Sequence, residues 1–197
     1  MKEKPINLHQ QQRLKTYKHL QSISLELLLE NGYDDLSVQD ITKRAGLGRG
    51  TFYIHFKDKA DVVWSLIQET LEDAREQGSK IRTTQPAMPV EFFSYYNTFL
   101  HANKHKDQYL IMFGSLGSAE LSSRAQRELA EQIVSQMKVL NIYRKFSGPK
   151  EVVASIVVGA FVRALVWWLE NPNELSAENM AVLVFENIHH RKPPPIS

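Results

Sequence analysis

Apolar residues recur three and four positions apart along most of this chain, and each stretch of that spacing is bounded by residues that start or stop a helix. Leu20, Ile23, Leu27 and Leu28 form the first stripe. It opens after Asn7, with Gln10 in the position of a capping box, and stops at Asn31-Gly32. A short second stripe, Val38, Ile41 and Ala45, follows Ser37, whose hydroxyl with Asp40 suits a helix start. Gly46 permits the positive φ that ends such a helix, Leu47 plugs the turn, and Phe52 and Phe56 dock a third helix that begins near Gly48. Asp58 and Asp61 cap a fourth, carrying Val63, Leu66, Ile67, Thr70, Leu71 and Ala74. Gly78 and the segment Thr83–Pro89 interrupt the period and place a domain boundary there. Helices are expected again over 90–105, 107–117, 119–145, 149–170 and 176–190, the long one opened by Ser147-Gly148-Pro149 and closed by Asn171-Pro172. No period-two run is long enough for a strand. The predicted fold is all-α, with about nine helices divided into residues 1–60, a connecting helix 61–82, and a larger domain 83–197.

The segment 37–59 carries the chemistry. Two short helices joined by a glycine turn make a helix-turn-helix, and the second exposes an Arg49-Gly50-Thr51 edge. Arg pairs bidentately with guanine, and a missing side chain lets backbone approach the groove. The pattern Ile41-Thr42, Ala45-Gly46-Leu47, Thr51-Phe52-Tyr53-Ile54-His55-Phe56 and Lys59 resembles the TetR family of bacterial transcription regulators over roughly residues 9–75. Thr42 stands where that family usually has Ala, and Gly48 where it often has Ser. The resemblance implies that Arg49, Gly50 and Thr51 lie nearest the base edges, while Ser37, Tyr53, His55 and Lys59 contact phosphates, a division that matches reading against positioning. Arg13 and Lys15, early in the first helix, could also reach a phosphate.

Charge agrees in sign. Residues 1–60 hold ten Lys/Arg against seven Asp/Glu, net +3, and residues 61–197 hold fourteen against fifteen, net −1. There are no cysteines, which excludes disulfides and thiolate chemistry. The charged start Met1-Lys2-Glu3-Lys4-Pro5 and the lack of a transmembrane-length stretch imply a soluble, cytoplasmic protein with no membrane partner. The tail from Arg191 through Pro195 is expected to fray.

Beyond residue 83 the helix 149–170 is apolar on almost every side, so one face packs on its own subunit and another on something else. With helix 176–190, which carries Met180, Leu183, Val184 and Ile188, it resembles the family's dimerisation pair, implying a homodimer on a palindromic operator. Helix 90–105 and its successor hold more aromatics than one face needs. Phe92, Tyr96, Phe99, Tyr109 and Phe113, with Trp167 and Arg163 from the long helix, are expected to line a cavity for a small, largely apolar or aromatic effector. Phe161 and Trp168 would complete it. Arg163 would bind an anionic group or pair with a carboxylate. His101 and His105 have metal-binding spacing but no adjacent carboxylate, so they are expected to face solvent, and no metal or cofactor is predicted. No phosphate-cradling loop, nucleophile elbow or His–carboxylate cluster argues for an enzyme. A ligand-responsive repressor is the expectation; an activator or coregulator of the same fold, or more remotely an enzyme on a helical bundle, remain the alternatives.

Overall fold

Each segment with helical periodicity contains a helix in the computed structural model, which describes residues 7–85, 88–139, 148–171 and 175–193. In chain order these are α1 Leu8–Asn31, α2 Val38–Ala45, α3 Arg49–His55, α4 Lys59–Thr84, α5 Val90–Lys104, α6 Lys106–Phe113, α7 Ala119–Val139, α8 Lys150–Glu170 and α9 Ala177–His189. The expected continuation of α7 to residue 145, Ser147, Pro172 and Pro194-Pro195 lie outside the described residues. α6 is shorter than expected: its C-cap is Gly114, whose N–H bonds to Leu110 O at 2.9 Å.

The chain divides into two units, Met1–Glu69 and Thr70–Ser197, so the division falls inside α4. Gly78 does not interrupt that helix. A Cβ there would lie 2.9 Å from Asn97 Nδ2, so glycine marks a close approach of α5 to α4, not a break.

In the first unit the caps behave as the residues dictate. Asn7 and Gln10 form a capping box around the start of α1, and Gly32 closes it at φ 77°. Asp58 Oδ1 accepts from Asp61 N at 2.8 Å while Asp61 Oδ2 accepts from Lys57 N at 2.9 Å, fixing the entry to α4. Leu20, Leu28, Leu36, Ile41, Phe52, Phe56, Val62, Val63 and Ile67 are buried. In the second unit α5 lies along α9, α7 along α8, and α6 against both α7 and α8. Phe92, Phe99, Leu165, Trp168, Ala181 and Phe185 centre its core. By length and composition α8 is apolar enough to cross a bilayer, contrary to the expectation that no such stretch exists. Here Ala154, Val158, Val162, Leu165, Val166, Trp168 and Leu169 of that helix are buried within the helical unit.

Candidate nucleic-acid interface and ligand cavity

α2, its glycine turn and α3 place the residues singled out for DNA. Ser37 Oγ accepts from Asp40 N at 3.2 Å and donates to the Asp40 carboxylate, so its side chain is engaged in the cap. Gly46 takes the left-handed conformation, φ 66° and ψ 30°, which a side chain would strain. Leu47 N then bonds back to Thr42 O at 3.0 Å. Thr42 is buried, and its hydroxyl donates to Val38 O and Gln39 O at 2.9 and 3.1 Å, so the departure from Ala leaves no orphaned polar group. Gly48 caps α3 through its backbone alone, its carbonyl accepting from Thr51 N at 3.0 Å.

Phe52 and Phe56 are buried, which turns the remaining faces of α3 outward. Arg49 and Gly50 are exposed, Thr51 half-buried, and Tyr53 57% exposed. Arg49 Nη2 donates to Gln39 Oε1 at 2.8 Å, a tether between α2 and α3 that sequence reading did not find. His55 is half-buried beside Tyr17, ring centroids 6.3 Å apart. Partial burial, and then the positive charge of Arg13, hold its pKa below the ordinary imidazole value. Lys59 departs from a purely phosphate-facing placement. Its Nζ donates to Tyr33 O at 3.0 Å and Asp34 O at 3.3 Å and lies 4.5 Å above the Tyr33 ring, so it braces the α1–α2 connection. Arg44 forks onto Glu30 through two bonds of 3.0 and 2.9 Å, which lowers the Glu30 pKa and raises that of Arg44. His19 Nε2 meets Ala45 O at 3.1 Å. These two links pin the C-terminal end of α2 to α1.

The second unit holds a cavity of about 450 Å³. Phe93 and Tyr95 of α5, Tyr109 and Phe113 of α6, Ile133 of α7 and Phe161 of α8 line it, with Arg75, Gly78 and Arg82 of α4 on another side. Arg82 lies 5.3 Å over the Phe93 ring and donates to Met88 O. Of the residues expected to line an effector cavity, Tyr109 and Phe113 are on this wall. Phe92, Tyr96 and Phe99 are not on this wall: they are buried in the core against α8 and α9, Phe99 meeting Trp168 edge-on at 5.4 Å and Phe92 meeting Phe185 at 5.3 Å. Arg163 and Trp167 are exposed, Trp167 by 45%, so neither lines the cavity, and Arg163 needs no buried carboxylate. Successive α-helical residues turn by about 100°, and the aromatic excess of α5 served two surfaces at once.

On α8 the residues Val152, Ile156, Ala160, Arg163 and Trp167 are all exposed and fall three or four apart, giving one outward, largely apolar stripe. Leu183 of α9 is also exposed. His101, expected at the surface, is buried instead, its Nε2 3.0 Å from Asp73 Oδ2. The carboxylate comes from 28 residues earlier, beyond the reach of local spacing.

Residues 23–65 match the family model of bacterial regulatory proteins, tetR family. Residues 93–190 match that of a transcriptional regulator C-terminal region. The uncharacterized HTH-type transcriptional regulator YvdT of Bacillus subtilis is 27% identical over 101 residues, 51% of this chain and 52% of that protein. The chain thus spans about half the length of this curated relative. Among solved structures, a TetR transcriptional regulator from Streptococcus agalactiae superposes with a TM-score of 0.71 at 19% identity, over 92% of this chain and 97% of that one. FadR from Bacillus subtilis, in complex with stearoyl-CoA, gives 0.60 at 17% identity, over 87% and 97%. At these identities the two structures establish a shared fold.

Proposed function

Since the chain belongs to the TetR family of bacterial regulatory proteins, we propose that it is a cytoplasmic, homodimeric repressor that leaves a palindromic operator when a small molecule fills the cavity of its second unit. The observation that carries this reading is the α2–Gly46–α3 geometry. Phe52 and Phe56 hold α3 by one side, and the opposite side presents Arg49, Gly50 and Tyr53 to a partner. Arg49, Gly50 and Thr51 take the base edges; Tyr53, His55 and Arg13 take phosphates, with Ser37 offering its cap and Lys59 one remaining N–H. The α8 stripe through Ile156 and Trp167, with Leu183 of α9, is the face between subunits, because a two-fold operator needs a two-fold protein.

The cavity favours a ligand with an apolar body and an anionic end. Phe93, Phe113, Ile133, Val157 and Phe161 supply the apolar wall, and Arg82 supplies positive charge, Arg75 being paired with Glu72 at 2.8 Å. The stearoyl-CoA held by the B. subtilis FadR structure is a compound of that kind. α4 links the two events: Leu71, Ala74 and Gly78 line the cavity, and the same helix begins at Lys59. Ligand that binds one arrangement of α4 better by about 1–3 kcal/mol changes operator affinity about 5–150-fold.

Selection of bound sequences from a random duplex pool tests the reading. An inverted repeat is expected, with affinity falling steeply in salt and falling again when stearoyl-CoA is added. Enrichment of no sequence overturns the DNA reading, and an operator complex indifferent to the acyl-CoA overturns the ligand class.

A further inference from the structure

Outside both the helix-turn-helix and the cavity, α4 and the α5–α6 corner bring three ligating side chains together. Asp73 comes from α4, His101 from the last turn of α5, and His105 is the residue between α5 and α6. Their ligating atoms all lie within 4.8 Å of one another. Asp73 Oδ2 is 3.0 Å from His101 Nε2 and 3.5 Å from His105 Nε2. With metal–ligand lengths of about 2.0–2.2 Å, two donors on one tetrahedral ion sit about 3.3–3.6 Å apart, close to the two separations here, and a turn of the partly exposed His105 ring out of its stack on His101 brings both lone pairs onto one ion. From this geometry we infer that Asp73, His101 and His105 bind one divalent transition-metal ion of the zinc class, a site independent of whether the cavity takes an effector.

Gln77 Nε2 also donates to Asp73 Oδ2, at 3.1 Å, so three nitrogen groups converge on one carboxylate oxygen. The two imidazoles stack face to face, centroids 4.2 Å apart and planes 14° from parallel, an arrangement that repels if both are protonated. A single cation would accept lone pairs from two neutral imidazoles and compensate the carboxylate. Burial favours the neutral form of His101, which is the form that ligates.

His101 is also oriented as a ligand must be. Its side chain is 1% exposed, and its second nitrogen, Nδ1, lies 3.1 Å from the buried Tyr109 hydroxyl. Metal-bound histidines have their other ring nitrogen held in this way, which fixes ring and tautomer. Access comes from the other side: Asp73 is 46% and His105 31% exposed, so an ion can enter and keep a water in the remaining position.

The tyrosine connects this site to the cavity wall, which it also lines. Without a metal, His101 Nε2–H donates to Asp73 and Nδ1 accepts from the Tyr109 O–H. With a metal on Nε2, the ring proton moves to Nδ1 and donates to the Tyr109 oxygen, leaving the tyrosine O–H free to donate elsewhere.

Protein stripped with chelator and titrated with Co(II) tests the proposal, since four-coordinate Co(II) absorbs visibly and Zn(II) displaces it. One Co(II) per chain is expected, displaced by Zn(II). His105→Gln and Asp73→Asn, both at partly exposed positions, should each weaken binding by more than about 100-fold, and Tyr109→Phe, which keeps all three ligands, by about 10-fold. Circular dichroism checks that each variant keeps its helices. Failure to saturate at one ion per chain, or unchanged affinity in a folded His105→Gln protein, overturns the site.

Discussion

Replacing Arg49 with Ala separates reading a base from holding a backbone. In the free protein the change removes an exposed guanidinium and one bond of 2.8 Å to Gln39, so stability should move by no more than about 0.5 kcal/mol. On DNA the cost is larger and local. A bidentate pair with guanine discriminates by about 1–3 kcal/mol, which is about 5–150-fold at one base position. A two-fold dimer loses the contact in both half-sites, so the free-energy loss on the full operator is about double that on one half. Competition between the operator and a panel of single-base variants, at one fixed salt concentration, measures this. Wild type should discriminate sharply at one position per half-site, and Arg49→Ala should bind all bases there alike while keeping its preferences elsewhere. Gln39→Ala should relax the same position more weakly, because Gln39 holds the guanidinium in place without touching the base. Tyr53→Phe provides the contrast, with a loss spread over every sequence. A uniform loss for Arg49→Ala would assign Arg49 to the phosphates and refute the division of roles on α3.

Ile156→Asp or Trp167→Asp, on the outward face of α8, should convert dimer to monomer in sedimentation; a folded dimer in both would move the interface off that stripe. Gly78→Ala gains about 1 kcal/mol of helix propensity but drives Asn97 from its 3.0 Å bond to Ala74 O, so the gain should appear fully only in an Asn97→Ala background. Equal effects in both backgrounds, by urea denaturation, would show that Asn97 yields freely. His55 has a depressed pKa when folded, so the unfolded chain takes up a proton first and stability should fall as pH drops below about 6.5. A phosphate beside the ring favours its protonated form, so operator affinity should rise over the same window. His55→Gln should reduce both slopes, and two unchanged slopes would remove His55 from both effects.

The helix-turn-helix was legible because its determinants are local. Ser37 and Asp40 sit three apart, Gly46 carries its own backbone preference, and Phe52 lies four residues before Phe56, the C-cap of α3, so spacing alone fixes what points in and what points out. Lys59 marks the limit of that logic. Its partners are carbonyls 25 and 26 residues away, set by how α1 and α4 meet, and no spacing within 37–59 reveals them.

In the second unit the same difficulty governs every misplaced residue. α5 is apolar over two faces, one against α9 and one toward the cavity, and α8 is apolar over three, so periodicity states that the helix is covered without stating by what. Phe92, Tyr96 and Phe99 took the core side and Phe93 the cavity side, a choice made by α9, which lies about 90 residues along the chain from them. Arg163 was the misread signal. A charge in an apolar helix argues for a buried partner only if that position is buried, and on α8 it shares its stripe with Val152, Ile156 and Trp167, all exposed. Read that way, Arg163 marks the outer edge of the helix, and an apolar stripe interrupted by one exposed cation is what a face needs if it meets a second copy of the chain yet remains wet before it does.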